Sequence, residues 1–287
     1  MKLHDDEVDI SEMLVHSLLK HQFPEWAGLR LVSVPASGTD NVMFRLGDDL
    51  VVRLPRRPGS AILKEHRWLP WLAPRLPLTI PAPVALGRPG EGYPLAWSIS
   101  RWLPGSHNIS DLSGAAAALG EFVAAMQEIE VPPGAPPAYR GGSYEHADES
   151  VRAALRELDL PEISELWRAA LTLPAQNGRR VWLHSDLLPP NLLADEGRLT
   201  AVIDFGCAGV GDPACDLMPA WTVFDEVTRP IFRERLNPDE TTWARGRAWA
   251  IVFGLGAWQY YVRRNPPFAA LGRRTVNQVL TEARSST

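Results

Sequence analysis

Residues 184–206 read His-Ser-Asp-Leu-Leu-Pro-Pro-Asn-Leu-Leu-Ala-Asp-Glu-Gly-Arg-Leu-Thr-Ala-Val-Ile-Asp-Phe-Gly, and the reading of the whole chain turns on this stretch. Asp186 is followed five residues later by Asn191, and Asn191 thirteen residues later by Asp204. Short apolar runs, Val181–Leu183 and Leu199–Ile203, precede the two polar motifs, so each motif stands on a loop leaving a strand. Asp195-Glu196-Gly197 turns the chain back between them. A carboxylate and an amide on one loop, with a second carboxylate on the next, match the needs of phosphoryl transfer. One carboxylate positions the attacking hydroxyl, and hard oxygen donors hold the magnesium ions that neutralise a triphosphate. Each residue alone also reads as a loop cap; the joint spacing carries the functional reading.

The bulk properties bound the rest. A chain of 287 residues has room for two lobes sharing a cleft, each with its own core. Its 45% hydrophobic and 22% charged residues are ordinary for a globular protein. A net charge of −5 gives no electrostatic basis for a nucleic-acid partner. The N-terminus, Met1–Ile10, is acidic and lacks the basic-then-apolar order of a leader. The longest apolar run, Ala248–Trp258, is too short to cross a membrane and reads as a buried helix. Cys207 and Cys215 are the only cysteines, which implies no disulfide framework and fits a reducing cytoplasm. Oligomeric state is left open by the sequence.

Along the chain, residues 11–22 predict an amphipathic helix, with Met13, Leu14, Leu18 and Leu19 at helical spacing. Leu29–Val34, Val42–Leu46 and Leu50–Leu54 predict an antiparallel meander. Ala61–Leu72 is helical by pattern, Pro81–Gly92 a proline-rich connection, and Tyr93–Leu103 another strand. Beyond Pro104-Gly105 helices take over. Asp111 is placed to cap the first, whose Leu119, Phe122, Val123, Met126 and Ile129 share a face. Residues 145–158 and 162–172 predict two more, and the chain beyond residue 213 reads helical.

With these residues in view the chain resembles the aminoglycoside phosphotransferase family, small-molecule kinases with a protein-kinase-like fold related to choline kinases. The likeness runs from about Leu31 to Trp221 and is densest in the stretch above and in Ile203-Asp-Phe-Gly-Cys-Ala-Gly-Val-Gly-Asp-Pro-Ala-Cys-Asp-Leu. Val51-Val-Arg-Leu-Pro-Arg-Arg is also similar to macrolide kinases of that family. The spacing of Asp186, Asn191 and Asp204 repeats that of the kinase catalytic loop and its metal-binding Asp-Phe-Gly. The resemblance implies an α+β, two-lobed protein-kinase-like fold, with a small antiparallel β-sheet N-lobe and a mainly helical C-lobe. Residues 1–103 would form the nucleotide-binding lobe with its hinge, and 104–287 the catalytic and substrate-binding lobe. Asp186 is the expected catalytic base, Asn191 and Asp204 the expected magnesium ligands, and ATP or GTP the expected phosphoryl donor. His184 is expected to brace the loop. Asp216 is expected to be a buried acceptor tying the helix it begins to the catalytic loop, and Asp212 to cap that helix.

The first lobe is expected to hold the nucleotide. Ser37, Gly38, Thr39 and Asn41, between two strands, would cover the phosphates, although an ordinary hairpin loop accounts for them equally. The slot where the family carries a lysine holds Arg53. Only Lys2, Lys20 and Lys64 are lysines among 29 basic residues, so arginine stands here wherever a cation suffices, and a guanidinium grips phosphate oxygens bidentately. The other reading of Arg53 is a site without turnover. Glu65 is its candidate ion-pair partner, with Lys64 as the alternative inward-reaching group. Ser100, Arg101, Trp102 and Leu103 would form the hinge whose backbone bonds the purine; an edge strand with Trp102 in the core needs no ligand.

The acceptor is less legible. Residues 111–183 hold eleven acidic residues against six arginines, and residues 204–287 nine against ten. A polycationic aminoglycoside calls for carboxylates, whereas Trp221, Trp243, Trp249, Trp258, Tyr260 and Tyr261 suit either a core or a large apolar acceptor such as a macrolide. A sugar, amino alcohol or amino acid shares the same catalytic residues. A protein kinase is disfavoured because Gly-Asp-Pro-Ala enters a helix within eight residues of Asp-Phe-Gly, leaving little room for an activation segment.

Overall fold

Val-, Leu- and Phe-rich segments pair first with their neighbours in sequence: Leu31–Ser33 (β1), Asn41–Leu46 (β2) and Leu50–Pro55 (β3) form an antiparallel meander. Pro83–Gly87 (β4) and Trp97–Arg101 (β5) complete a five-stranded sheet of order β1-β2-β3-β5-β4. This computed structural model describes residues 7–34, 41–59, 61–174, 176 and 178–285. The chain divides into two compact units, the first comprising Met1–Arg75, Thr79–Gly105 and Ala201–Gly206, the second Leu76–Leu78, Ser106–Thr200 and Cys207–Thr287.

In the first unit, side chains alternate between sheet faces with the two-residue period of a strand. Phe44, Leu46, Leu50, Val52, Leu54, Trp97 and Ile99 form one apolar core with Val15, Leu18 and Leu19 of the helix Glu12–Gln22 (α1). Ser11 caps α1 by accepting from the Leu14 amide at 3.2 Å. The register opposes Arg53 to Ser98 and Val51 to Ser100, which puts Arg53 and both serines on the face opposite that core. The helix Ile62–Leu72 (α2) follows β3 and brings Glu65 to Arg53.

The second unit is mainly helical. Its elements in chain order are Leu112–Glu128 (α3), Asp148–Leu158 (α4), Pro161–Ala170 (α5), Val181–Leu183 (β6), Leu192–Asp195 (β7), Arg198–Val202 (β8, whose last residues belong to the first unit), Gly209–Gly211 (β9), Pro219–Thr222 (α6), Arg229–Leu236 (α7), Glu240–Tyr261 (α8) and Pro266–Ser285 (α9). Asp111 caps α3, accepting from the Gly114 amide at 2.8 Å, and Leu119, Phe122, Val123 and Met126 are fully buried. Strands β6 and β9 pair antiparallel, Val181 opposite Gly211 and Leu183 opposite Gly209. Strands β7 and β8 form a hairpin whose turn residues Glu196 and Gly197 both have positive φ, 48° and 80°. That is the backbone a two-residue hairpin turn demands. A Cβ at Gly197 would fall 2.0 Å from Ser110 Oγ.

Several expectations from sequence shift. The connection 81–92 contains β4, a short outer strand with an irregular register at its proline end; edge prolines are compatible with a strand but mask it in sequence. Leu29 is exposed, and the first strand shortens to three residues. The strand expected from Tyr93 begins at Trp97, because Glu91 and Gly92 make a turn and the Tyr93 hydroxyl is committed to Pro55 O at 2.7 Å. Residues 144–147 form a single 3-10 turn before α4. Trp221 and Trp243 are core: their rings lie 4.7 Å apart, and both indole nitrogens donate to Glu282. Trp249 is likewise buried, whereas Tyr260 is 54% exposed. The apolar run 248–258 lies inside α8, and among the described residues no helix is long and apolar enough to cross a membrane.

Candidate active site

In the first unit the site begins with a charge on the polar face of a sheet. Arg53 Nη1 donates to Glu65 at 2.7 Å, with Nη2 at 3.5 Å on the other oxygen, and the two side chains are only 11% and 5% exposed. Burial works against the Arg53 charge, but Glu65 and Asp204 together outweigh it and hold the guanidinium above its ordinary range. Burial pushes the Glu65 carboxyl up, against the pull of Arg53. Lys64 does reach inward, donating to the Gly206 carbonyl at 2.7 Å and so fastening the Asp-Phe-Gly loop to α2. Phe205 is buried beneath that loop while Asp204 is exposed. Asp204 holds a left-handed φ of 62°, a conformation that costs a non-glycine residue roughly 1–3 kcal/mol and tends to occur at functional positions. A Cβ on Gly206 would sit 3.3 Å from Asp204 Oδ1 and 4.0 Å from Glu65 Oε1.

Of the other nucleotide candidates, Ser37, Gly38 and Thr39 lie outside the described residues, and Asn41 opens β2 opposite Pro55. Ser100 is buried, Arg101 exposed, and Trp102 and Leu103 are half-buried. The amides of Arg101 and Trp102 already donate to Ala82 O (3.0 Å) and Asp49 O (2.8 Å), so a purine at this segment would be read by other backbone groups, Leu103 included. The Trp102 ring lies under the Arg45 guanidinium at 5.2 Å, which makes it a half-exposed platform rather than core.

In the second unit the catalytic-loop candidates hang on a buried carboxylate. Asp216, 1% exposed, accepts the amides of His184 and Ser185, each at 2.7 Å, one on each oxygen. Burial pushes its carboxyl up to about 7, against those two amides. Ser185 turns the loop through a left-handed φ of 60°, and its hydroxyl donates to Cys207 O at 2.8 Å. The His184 ring is fully buried, with Nδ1 3.3 Å from the Asp186 amide, so its bond braces the loop. Asn191 Nδ2 donates to Asp186 O (2.8 Å) and Asp186 Oδ2 (3.2 Å). Those bonds commit the amide nitrogen to the loop and assign the side-chain oxygen as the atom a hard cation would take.

The other Asp186 oxygen, Oδ1, accepts from Arg140 Nη1. Sequence reasoning missed Arg140. The available signal was its isolation, since it is the only charged residue between Glu130 and Glu145. Asp212 caps the turn at Pro213, accepting from the Ala214 amide at 3.0 Å, and takes Arg245 Nε at 2.9 Å, so it is spent on structure. Cys215 is buried, and burial pushes its thiol well up.

Among the described residues no cluster of three or more His, Cys, Asp or Glu suits a metal. Magnesium needs no such cage; one or two protein oxygens suffice when phosphates and water complete its octahedron. The exposed Asp204 carboxylate of the first unit and the Asn191 amide oxygen of the second are each, taken singly, a hard oxygen donor of the kind magnesium takes.

The profile of the phosphotransferase enzyme family matches residues 32–249. The chain therefore belongs to that family and is a phosphotransferase, with a fold of the aminoglycoside phosphotransferase type. The GDP complex of a mutant of aminoglycoside 2'-phosphotransferase-IIIa superposes with a TM-score of 0.74 at 18% identity, covering 96% of this chain and 99% of that one. Macrolide 2'-phosphotransferase MphH from Brachybacterium faecium gives 0.58 at 22% identity over 92% and 96%. A thermostable mutant of aminoglycoside phosphotransferase APH(4)-Ia, solved with AMP-PNP and hygromycin B, gives 0.60 at 21% over 93% and 99%. No curated protein matches the chain.

Proposed function

We propose that this enzyme transfers the γ-phosphoryl group of ATP or GTP to a hydroxyl of a small molecule of the aminoglycoside or macrolide antibiotic type, in the cytoplasm and without nucleic acid or membrane. The reading rests chiefly on Asp186, whose two carboxylate oxygens are held separately by Arg140 and Asn191. In this role Asp186 accepts the proton of the acceptor hydroxyl as that oxygen bonds to the γ-phosphorus and the bond to the nucleoside diphosphate breaks. Positioning of this kind is worth ~10²–10⁴ in rate. Asn191 and Asp204 would hold magnesium, which when bound neutralises charge on the phosphates. Arg53, steadied by Glu65, would grip the phosphates, and Ser100–Leu103 would carry the purine. Structural relatives solved with GDP and with AMP-PNP support a nucleotide donor, and those acting on aminoglycosides and macrolides support the acceptor class.

The same catalytic residues would serve a sugar, amino-alcohol or amino-acid kinase. Arg53 in the lysine slot favours a second reading, a non-catalytic nucleotide binder. A coupled assay of ADP or GDP release across aminoglycosides, macrolides, sugars and amino alcohols separates these. Acceptor-dependent release confined to the antibiotics supports the proposal, release with a metabolite redirects it, and magnesium-dependent nucleotide binding without release on any acceptor favours the binder.

A further inference from the structure

We infer that Arg140 is a positioning residue for phosphoryl transfer, holding the Asp186 carboxylate at the angle from which it meets the acceptor hydroxyl. The inference rests on the reading of Asp186 as base. Its basis is how firmly the chain is built to deliver this one side chain. Residues 137–141 run beside β9 as an additional extended segment. Ala138 N donates to Val210 O at 3.1 Å, Tyr139 N to Cys207 O at 3.0 Å, and Asp212 N to Gly141 O at 2.7 Å. The approach is close because β9 begins and ends in glycine: a Cβ on Gly209 would fall 2.5 Å from the Pro137 carbonyl, and one on Gly211 2.6 Å from Gly141 O. With backbone bonds on both sides of it, Arg140 has a fixed origin.

From there its guanidinium crosses to the catalytic loop, Nη1 donating to Ser185 O at 3.1 Å and to Asp186 Oδ1. Burial opposes the charge, but Asp186, with smaller contributions from Cys215 and Cys207, outweighs it and holds the guanidinium above its ordinary range. Both side chains remain partly open, at 23% and 20% exposure, so the pair is reachable by a substrate. Asn191 holds one carboxylate oxygen and Arg140 the other, which fixes rotation about the Cβ–Cγ bond. A free carboxylate would sample several orientations, and a modest misplacement of a catalytic group costs up to ~10²-fold in rate. The positive charge also offsets repulsion between this carboxylate and an incoming phosphate.

The test compares Arg140→Lys, Arg140→Gln and Arg140→Ala with wild type and Asp186→Asn, on whichever acceptor supports ADP or GDP release. We expect Arg140→Gln and Arg140→Ala to lose ~10–10² in kcat with nucleotide KM within about threefold, since positioning and not binding is removed. Arg140→Lys keeps part of kcat, and added guanidinium ion restores part of it in Arg140→Ala. A purely structural staple predicts otherwise: a fallen unfolding temperature, weakened nucleotide binding and no rescue. That result, or full kcat in Arg140→Gln while Asp186→Asn is dead, overturns this inference and leaves the function standing. Undiminished turnover in Asp186→Asn overturns the functional reading, and this inference with it.

Discussion

The two units hold their candidate functional groups by different physics. Around Arg53 the main contacts are between side chains, one guanidinium answering Glu65 and Asp204, while Lys64 reaches a backbone carbonyl. Around Asp186 the loop is held through its backbone by side chains, with the amides of residues 184 and 185 donating to Asp216 and a hydroxyl and a guanidinium donating to carbonyls. A charge-paired site tolerates a change of cation as long as charge and reach survive. A backbone mesh tolerates very little, because each replaced acceptor strands a buried amide. This accounts for arginine at residue 53 of the first unit, while the loop of the second unit keeps the spacing of its chemical groups.

The sharpest way to break the comparison is at Arg53. Arg53→Ala leaves Glu65 buried without its partner, and losing one member of a buried pair costs about 3–5 kcal/mol. Turnover should fall by ~10²–10³, the loss typical when one donor to a reacting anion is removed. Arg53→Lys keeps the charge and gives up the second nitrogen contact, so it should retain part of the activity and most of the stability. Steady-state kinetics with denaturant unfolding on the same preparations reads both, and equal activity in all three proteins would discard the phosphate-gripping role.

Asp216 tests the other unit. Its carboxyl is raised from 3.8 to about 7 by burial, so from pH 4 to 7 the folded protein keeps a proton that the unfolded chain has lost. The associated stability is present in full below about pH 4 and is lost as pH rises through 7, a swing on the order of a few kcal/mol. Asp216→Asn offers one acceptor where two amides need one each, and should cost about 1–3 kcal/mol. Because the asparagine does not titrate, its deficit against wild type should be larger at pH 4.5 than at pH 7.5 in urea unfolding. A deficit that grows with pH would mean the two amides hold the carboxylate ionised.

The smallest effect is expected at Gly209. Its alanine variant forces backbone apart at residues 137–138 and should cost about 1–3 kcal/mol, with a modest fall in kcat through Arg140. Thermal unfolding of Gly209→Ala beside Gly256→Ala, where a Cβ meets nothing within 4 Å, isolates that contact.

Much of this was legible in sequence because it is local. The cap at Asp111, the α1 periodicity and the β2–β3 alternation each depend on neighbours within one turn or one strand, and the contact of Asn191 with Asp186 lies within a single loop. The Glu65 pairing was legible because a strand followed directly by a helix leaves few partners for a buried cation. What stayed hidden depends on distant chain. Arg140 meets Asp186 across 46 residues, and nothing near either one signals the other. Strand β4 was masked by prolines that an edge strand accommodates. Trp221 and Trp243 could have faced a ligand; Glu282, on the last helix, takes both indole nitrogens and makes them core.

The central claim is that the Asp186 carboxylate acts on the acceptor hydroxyl. Single-turnover transfer of the γ-phosphoryl group should be measured in wild type and Asp186→Asn, with nucleotide affinity determined on the same samples. We predict that transfer falls by at least ~10²-fold while nucleotide affinity is unchanged within about threefold. Transfer at the wild-type rate in Asp186→Asn would contradict the account.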